Sequence, residues 1–266
     1  MPAKLVITGA AGRMGKRVAA LAAEDENFEI AGAIERPEHP DTGKDIGLLA
    51  GAGELGINVK SQYPDDADLV IDFSEPQIAE KTLDYCLEKN AALVMGTTGL
   101  DTEQQLKLDK ACEQIPLIYG TNMSVGMNVM FTIVGKVAKM LGSDYDIEIV
   151  EHHHRFKKDS PSGSALTLAE NICIETQRNF PDCIVNGRSG KSNARTDEEI
   201  GVHAVRAGDI TGRHSVLFAT KGETITLNHT ATNRDNFVIG AVRAGAWLVR
   251  QKPGRYSMAD VLGLND

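Results

Sequence analysis

The chain has 266 residues, 42% of them hydrophobic and 24% charged, with a formal net charge of −9; this length allows two modest domains that bury about three quarters of the unfolded chain's surface. No apolar run approaches the roughly 18 residues of a spanning helix, and the acidic balance argues against a phosphate-backbone binder, so neither a membrane nor a nucleic acid is the expected partner and any anion must be met locally. Met1-Pro2-Ala3-Lys4 runs straight into an apolar strand without a signal or transit pattern, and cysteines 86, 112, 173 and 183 show neither C-x-x-C nor metal spacing; a cytoplasmic protein with reduced, packing cysteines is expected.

Lys4–Thr8 reads as a strand, and Met14, Val18, Leu21 and Ala22 follow at helical spacing, which makes a βαβ beginning,. Phe28–Glu35, Asp68–Phe73 and Ala92–Met95 are further strands, near-continuously apolar as parallel strands covered on both faces are,. Glu75-Pro76 opens one helix, and Thr102-Glu103-Gln104-Gln105 has capping-box form for the next,. After Ile115–Tyr119 the segment Gly120–Gly126 is punctuated by glycine, and the domain boundary is placed there. Ile147 and Ile149 set against Glu148 and Glu151 predict a strand, whereas Leu166, Leu168, Ala169, Ile172 and Ile174 predict a helix,. Asn186–Thr196 is polar and predicted to be a mobile loop. Ile200–Arg206, His214–Thr220 and Glu223–Ala231 then succeed one another through turns without helices, as in a mixed or antiparallel sheet,. The expected fold class is α/β: an N-terminal Rossmann-type dinucleotide-binding domain, then an α+β domain with a mixed sheet.

Gly9-Ala10-Ala11-Gly12-Arg13-Met14-Gly15 lies between the first strand and the first helix, where a pyrophosphate-binding turn must lie,. Its spacing is G-x-x-G-x-x-G, but the physics is that of the commoner fingerprint: glycines let the backbone turn tightly and approach the diphosphate at a positive helix end. Glu35, 20 residues past Gly15, stands where such folds hydrogen-bond the adenosine ribose. Arg36 follows and is suited to a 2′-phosphate, so the pair points to both NADH and NADPH. The alternatives are a tight turn without a ligand and a solvated surface arginine. Gly96-Thr97-Thr98-Gly99 and Gly120-Thr121-Asn122-Met123 follow the strands ending at Met95 and Tyr119; both are candidate ligand turns, and either is also readable as a plain turn.

The densest chemistry is Glu151-His152-His153-His154-Arg155-Phe156-Lys157-Lys158-Asp159-Ser160-Pro161-Ser162-Gly163-Ser164. Imidazoles and ammonium groups sit on a strand-to-helix turn whose Ser162-Gly163-Ser164 presents backbone N–H groups to a carboxylate or phosphate. A metal site is disfavoured because along a strand only His152 and His154 share a face. A surface-covering role remains the bland alternative. Catalysis is preferred, since a histidine donates a proton near neutral pH and Lys157 neutralises an anion or stabilises developing negative charge.

These residues resemble the 4-hydroxy-tetrahydrodipicolinate reductases, also called dihydrodipicolinate reductases, of the diaminopimelate route to lysine. The resemblance covers nearly the whole chain and rests on the Gly9–Gly15 turn, on Gly96-Thr97-Thr98-Gly99 and above all on Glu151-x-His153-His154-x-x-Lys157-x-Asp159-x-Pro161-Ser162-Gly163-Ser164-Ala165. It implies His153 as the catalytic acid with Lys157 as its companion, and His154, Lys157, Gly163 and Ser164 as holders of a cyclic dicarboxylate. It also implies cofactor contacts from Gly9, Ala10, Ala11, Gly12, Arg13, Met14, Gly15, Glu35, Arg36, Gly96, Thr97, Thr98, Gly120, Thr121, Asn122 and Met123. Arg234 resembles a family arginine near the hinge. Met123 stands where members often carry Phe, and Ser164 replaces the commoner Thr while keeping the hydroxyl. By the same resemblance, residues 1–124 with 234–266 form the nucleotide domain, with a helix around Phe237–Val249 packed back on it. Residues 125–233 form the substrate and oligomerisation domain, and the assembly is a homotetramer. The expected activity is NAD(P)H-dependent reduction of a cyclic imine dicarboxylate; the alternatives are another two-domain dehydrogenase and a non-catalytic NADPH sensor.

Overall fold

A computed structural model describes residues 1–191 and 193–264. In chain order it contains β1 (Ala3–Thr8), α1 (Arg13–Ala23), β2 (Phe28–Ile34), α2 (Ile46–Ala50), β3 (Val59–Lys60), β4 (Leu69–Asp72), α3 (Pro76–Lys89), β5 (Ala92–Met95), α4 (Thr102–Ala111) and β6 (Pro116–Tyr119). There follow α5 (Val125–Leu141), β7 (Asp146–His153), α6 (Gly163–Thr176), β8 (Ile184–Asn186), β9 (Ile200–Arg206), β10 (Gly212–Thr220) and β11 (Glu223–Ala231), then α7 (Asp235–Leu248), β12 (Gly254–Tyr256) and α8 (Met258–Leu262). These elements form two units, Met1–Val125 joined by the segment from Asp235 onward, and Gly126–Arg234.

In the first unit seven parallel strands run in the order β3-β2-β1-β4-β5-β6-β12. Successive strand residues point to opposite faces, and here both faces are covered. Leu5, Ile7, Leu69, Ile71 and Val94 pack with Val18 and Ala22 of α1 and Val238, Ala241 and Leu248 of α7. Val6, Val70, Leu93, Met95 and Leu117 pack on the other side with Ala79, Leu83 and Cys86 of α3 and Leu108 of α4. Burial on both sides is why these strands lack a polar alternation. Helix α7 closes onto the unit through Arg17 of α1, whose Nε and Nη2 reach the two oxygens of Asp235 at 2.8 and 2.9 Å.

In the second unit the sheet order is β11-β10-β7-β9-β8, with β11, β10 and β7 antiparallel and β7, β9 and β8 parallel. Its core sets Ile147, Ile149, Val202, Val216 and Phe218 of the sheet against Met127, Met130 and Val134 of α5 and Leu168, Ala169 and Ile172 of α6.

Several local expectations shift. The capping box of α4 belongs to Asp101 and Gln104, one residue earlier than Thr102 and Gln105, because the Asp101 carboxylate accepts from the Gln104 N–H at 2.8 Å. On α6 the inward position is taken by Cys173, and Ile174 is 66% exposed. The polar stretch predicted as a mobile loop from Asn186 begins inside β8, and its arginines are engaged: Arg188 donates to both oxygens of Glu148 at 3.0 and 2.8 Å, and Arg195 pairs with Asp146. All four cysteines are free thiols, with the sulfurs of Cys173 and Cys183 3.3 Å apart.

Candidate active site

Between β1 and β4 the strand order of the first unit reverses, and open α/β sheets take ligands at that point, beyond the carboxyl ends of the strands. The Gly9–Gly15 turn lies there. Gly9 has a φ of +72°, and a Cβ on Gly15 would stand 2.2 Å from the Gly9 carbonyl oxygen, so α1 can begin this close to the turn only with glycine at position 15. Gly12 is the N-cap of α1 and supplies no side chain to it, which leaves the helix's positive end for an anion. Glu35 is tied to the turn, its Oε1 accepting from the Ala11 N–H at 3.1 Å. A cavity of about 300 Å³ is lined by Gly9, Gly12, Glu35, Arg36, Phe73 and Ser74 among others. His39 also lines it, and its Nδ1 accepts from the Asp41 N–H at 3.2 Å, so the proton of the neutral ring is on Nε2,. Nothing in the sequence around His39 marked it. A cradle without side chains, an uncapped helix start, a ribose-type carboxylate and an exposed guanidinium together fit the adenosine and diphosphate of a dinucleotide.

The other nominated residues divide by burial. Arg13, Thr98 and Thr121 are exposed and Met14, Gly96, Gly120 and Asn122 half-buried, whereas Ala10, Ala11, Gly15, Thr97 and Met123 are buried. Met123 packs in the core beside α7 at 1% exposure, so any ligand contact it makes comes from its main chain. Thr97 serves its own turn: its hydroxyl donates to Asp72 Oδ1 at 3.2 Å, and the Ser74 N–H donates to the same oxygen at 2.7 Å. Burial pushes the Asp72 carboxyl up to about 6, against those hydrogen bonds.

In the second unit the register of three strands builds a site around a fully buried carboxylate. β7 alternates outward and inward, which puts Glu151 and His153 on its inner face. Glu151 is 0% exposed. Its Oε2 accepts from His153 Nδ1 at 2.6 Å and Arg206 Nη1 at 2.7 Å, and its Oε1 from the Ser162 N–H at 3.0 Å and Arg206 Nη2 at 2.8 Å. Burial alone would raise this carboxyl, but the bonds from His153, Arg206 and Ser162 outweigh it and hold the group down at about 2. The His214 ring stands edge-on to His153, centroids 5.3 Å apart. Burial, reinforced by the neighbouring His153 and His229, lowers His214 to about 3.

The helix start beside this carboxylate is built by Ser162, the N-cap of α6, whose hydroxyl accepts from the Ala165 N–H at 3.3 Å. Gly163 is exposed and Ser164 half-buried in the first turn, where N–H groups lack intrahelical partners. Lys157, 24% exposed, pairs with Asp159 at 2.9 Å, and His154 is half-buried just past the end of β7. The structure therefore brings His153, Ser162 and the start of α6 together through Glu151. Arg206 and His214 join them unannounced by the sequence, because β9 pairs Arg206 with His153 and β10 pairs His214 with Glu151.

Acid is expected to act oppositely on the two units. His214, lowered from 6.5 to about 3, binds a proton more readily in the unfolded chain, so its contribution is complete above pH 6.5 and is lost as pH falls toward 3,. Glu151, lowered from 4.5 to about 2, adds a loss of the same sign below pH 4.5,. Asp72, raised from 3.8 to about 6, favours the folded first unit below pH 3.8 and loses that contribution as pH rises through 6,. Denaturant melts at pH 5 and pH 7, read by hydrogen exchange in each unit, are expected to show the second unit losing stability at the lower pH while Asp72→Asn removes part of the first unit's gain.

Two family models divide the chain between them: "Dihydrodipicolinate reductase, N-terminus" matches residues 3–123 and "Dihydrodipicolinate reductase, C-terminus" matches residues 126–262. The 4-hydroxy-tetrahydrodipicolinate reductase of Geotalea daltonii is 44% identical over 264 residues, 98% of this chain and 99% of that one, and that of Acinetobacter baumannii is 43% identical over 266 residues, 99% and 97%. A dipicolinate-bound dihydrodipicolinate reductase from Paenisporosarcina sp. TG-14 superposes with a TM-score of 0.70 at 22% identity, covering 98% of this chain and 99% of that one. A myo-inositol 2-dehydrogenase from Lactobacillus plantarum shares the fold alone, with a TM-score of 0.60 at 10% identity over 99% and 94% of the two chains. A nucleotide turn on one unit, a buried Glu–His pair beside a helix start on the other, and family models and relatives that match along nearly the full length lead to one assignment: the chain belongs to the dihydrodipicolinate reductase family.

Proposed function

We propose that this chain reduces 4-hydroxy-tetrahydrodipicolinate to tetrahydrodipicolinate with NADH or NADPH, in the diaminopimelate route to lysine. The observation that carries the reading is the Glu151–His153 pair at 2.6 Å next to the capped start of α6, in a chain of that reductase family. Overall, substrate, NAD(P)H and a proton give product, NAD(P)⁺ and water, and the nicotinamide when bound supplies the hydride. His153 supplies the proton from Nε2, its Nδ1–H being committed to Glu151,. Lys157, His154 and the N–H groups of Gly163 and Ser164 hold the ring carboxylates and neutralise their charge. Gly9 to Gly15 with Glu35, Arg36, Gly96 to Thr98 and Gly120 to Met123 hold the nucleotide. The direct test is NADPH oxidation when the hydroxylated ring is added, with competition by pyridine-2,6-dicarboxylate; no oxidation, or no competition, sinks the reading.

Arg36 is assigned to the 2′-phosphate. Arg36→Ala is expected to weaken NADPH binding about 10- to 100-fold, the loss of one charge-assisted contact worth about 1.5–3 kcal/mol, and to leave NADH unchanged. Fluorescence titration with both nucleotides checks this, and equal weakening of the two assigns Arg36 to the fold instead.

The assembly is a homotetramer, a reading supported by the second unit's sheet. Its helices cover one face, while the other carries Val150, Leu217 and Val205, none of them fully buried in the single chain, and ends at the mostly exposed strand β11. Sedimentation analysis of the purified protein tests it. A cytoplasmic location fits four cysteines that are all free thiols,, and cell fractionation is its check.

A further inference from the structure

A carboxylate taken wholly out of water is costly, and a buried ion pair seldom improves on apolar packing for stability. Glu151 is nevertheless 0% exposed and accepts four hydrogen bonds, two on each oxygen. What such an arrangement supplies is direction. Arg206 grips both oxygens with its planar fork and also donates to the Asp159 carbonyl at 2.6 Å, so the plane of the carboxylate is fixed. One oxygen then faces His153 and the other the Ser162 N–H that begins α6.

We propose that Glu151, clamped by Arg206, is the positioning residue of this reductase: one carboxylate sets the tautomer of His153 and, through Ser162, the placement of the helix start that meets the substrate's carboxylates. The inference rests on the reading of His153 as the acid. Because Oε2 takes the Nδ1–H at 2.6 Å, the exchangeable proton is assigned to Nε2. That edge faces Gly212 at the start of β10, where a Cβ would stand 3.3 Å from Nε2; glycine keeps the donor edge uncrowded. Glu151 does not compete for the proton, since its own carboxyl is held near 2. The other groups around the ring are accounted for. His214 on β10 stays neutral, lowered to about 3; Lys157 on the turn is paired with Asp159; and the positive charge of Arg206 on β9 is matched by Glu151 itself.

The matching of charges separates the two partners experimentally. Glu151→Gln leaves the Arg206 charge uncompensated beside the imidazole, which disfavours the protonated ring. Its kcat is expected to fall about 10- to 100-fold, the alkaline limb of the kcat–pH profile to move down by about one unit, and the substrate KM to rise as the α6 turn loosens. Arg206→Lys keeps the charge but loses the fork, so kcat is expected to fall about tenfold with a much smaller movement of the limb. Nucleotide affinity, measured by titration, is expected to stay at the wild-type value in both. A folded Glu151→Gln enzyme with kcat within about twofold of wild type and an unmoved limb overturns the proposal; if that variant does not fold, Arg206→Lys with kcat within about twofold overturns it. His153→Gln run alongside separates the two levels: an active His153→Gln enzyme removes the acid assignment itself, whereas an inactive one beside an unaffected Glu151→Gln removes the positioning role alone.

Discussion

His153→Gln is expected to lower kcat by about two to four powers of ten, the range spanned by general acid–base catalysis, with nucleotide affinity unchanged. The glutamine amide approximates the Nε2 end of the ring, and the grip of Arg206 on Glu151 is untouched; what disappears is the imidazole that can hand over a proton. Rapid-mixing kinetics with saturating NADPH, followed through the loss of its absorbance, is the measurement. Near wild-type turnover at saturating substrate would falsify the assignment. A loss confined to KM would move His153 from proton donor to carboxylate ligand.

The second large effect concerns the turn between β7 and α6, proposed to hold the substrate's carboxylates. Lys157→Ala is expected to reduce kcat/KM by about 10- to 100-fold, the scale of a charge-assisted contact, whereas Ser164→Ala removes a hydroxyl and leaves the main-chain N–H groups of α6 in place, with a loss of about tenfold or less. Lys157 pairs with Asp159 and is 24% exposed, so it carries its charge to the site's edge without being needed by the core. Nucleotide affinity by fluorescence titration is expected to be the same in both variants. If the serine variant proves worse than the lysine variant, or the lysine variant loses its nucleotide, the substrate's carboxylates have been placed wrongly.

What the sequence disclosed follows the range of the interactions. The turn at Gly9–Gly15, the acid at Glu35 and the His–Lys–Ser run are local, each written within one strand, one turn and the next helix; the first two are found at the strand ends where they were expected, whereas the third, expected on the turn, begins inside β7, which already contains His152 and His153. Strands β9 and β11 were legible residue for residue, being alternating runs bounded by turns. Helix α5 was not, although Ser124 stands before it and Gly142-Ser143-Asp144 after it, because Val129, Met130, Phe131, Ile133 and Val134 run together and blur the helical spacing. Arg206 and His214 were invisible for a different reason. Their place opposite His153 and Glu151 depends on the pairing register of strands far apart in sequence, and register is fixed by the assembled sheet, not by either strand alone. Met123 shows the same limit at short range: its position after β6 was clear, but not that its side chain turns into the core.

The first unit is discontinuous, and this governs the order in which the chain can finish folding as it is synthesised. Gly126–Arg234 is one uninterrupted segment and has all of its sheet available as soon as β11 has emerged. The parallel sheet, although most of it is made first, waits for α7 before Leu69, Ile71 and Val94 are covered on that face, and for β12 before β6 ceases to be an edge. The half translated earlier is thus the half completed later, holding an apolar sheet face open on the ribosome through the whole synthesis of the other. A chain stopped at Arg234 keeps a complete second unit but leaves exposed the part of the first sheet's face that α7 covers, and is therefore expected to be a substrate for chaperones and proteases,.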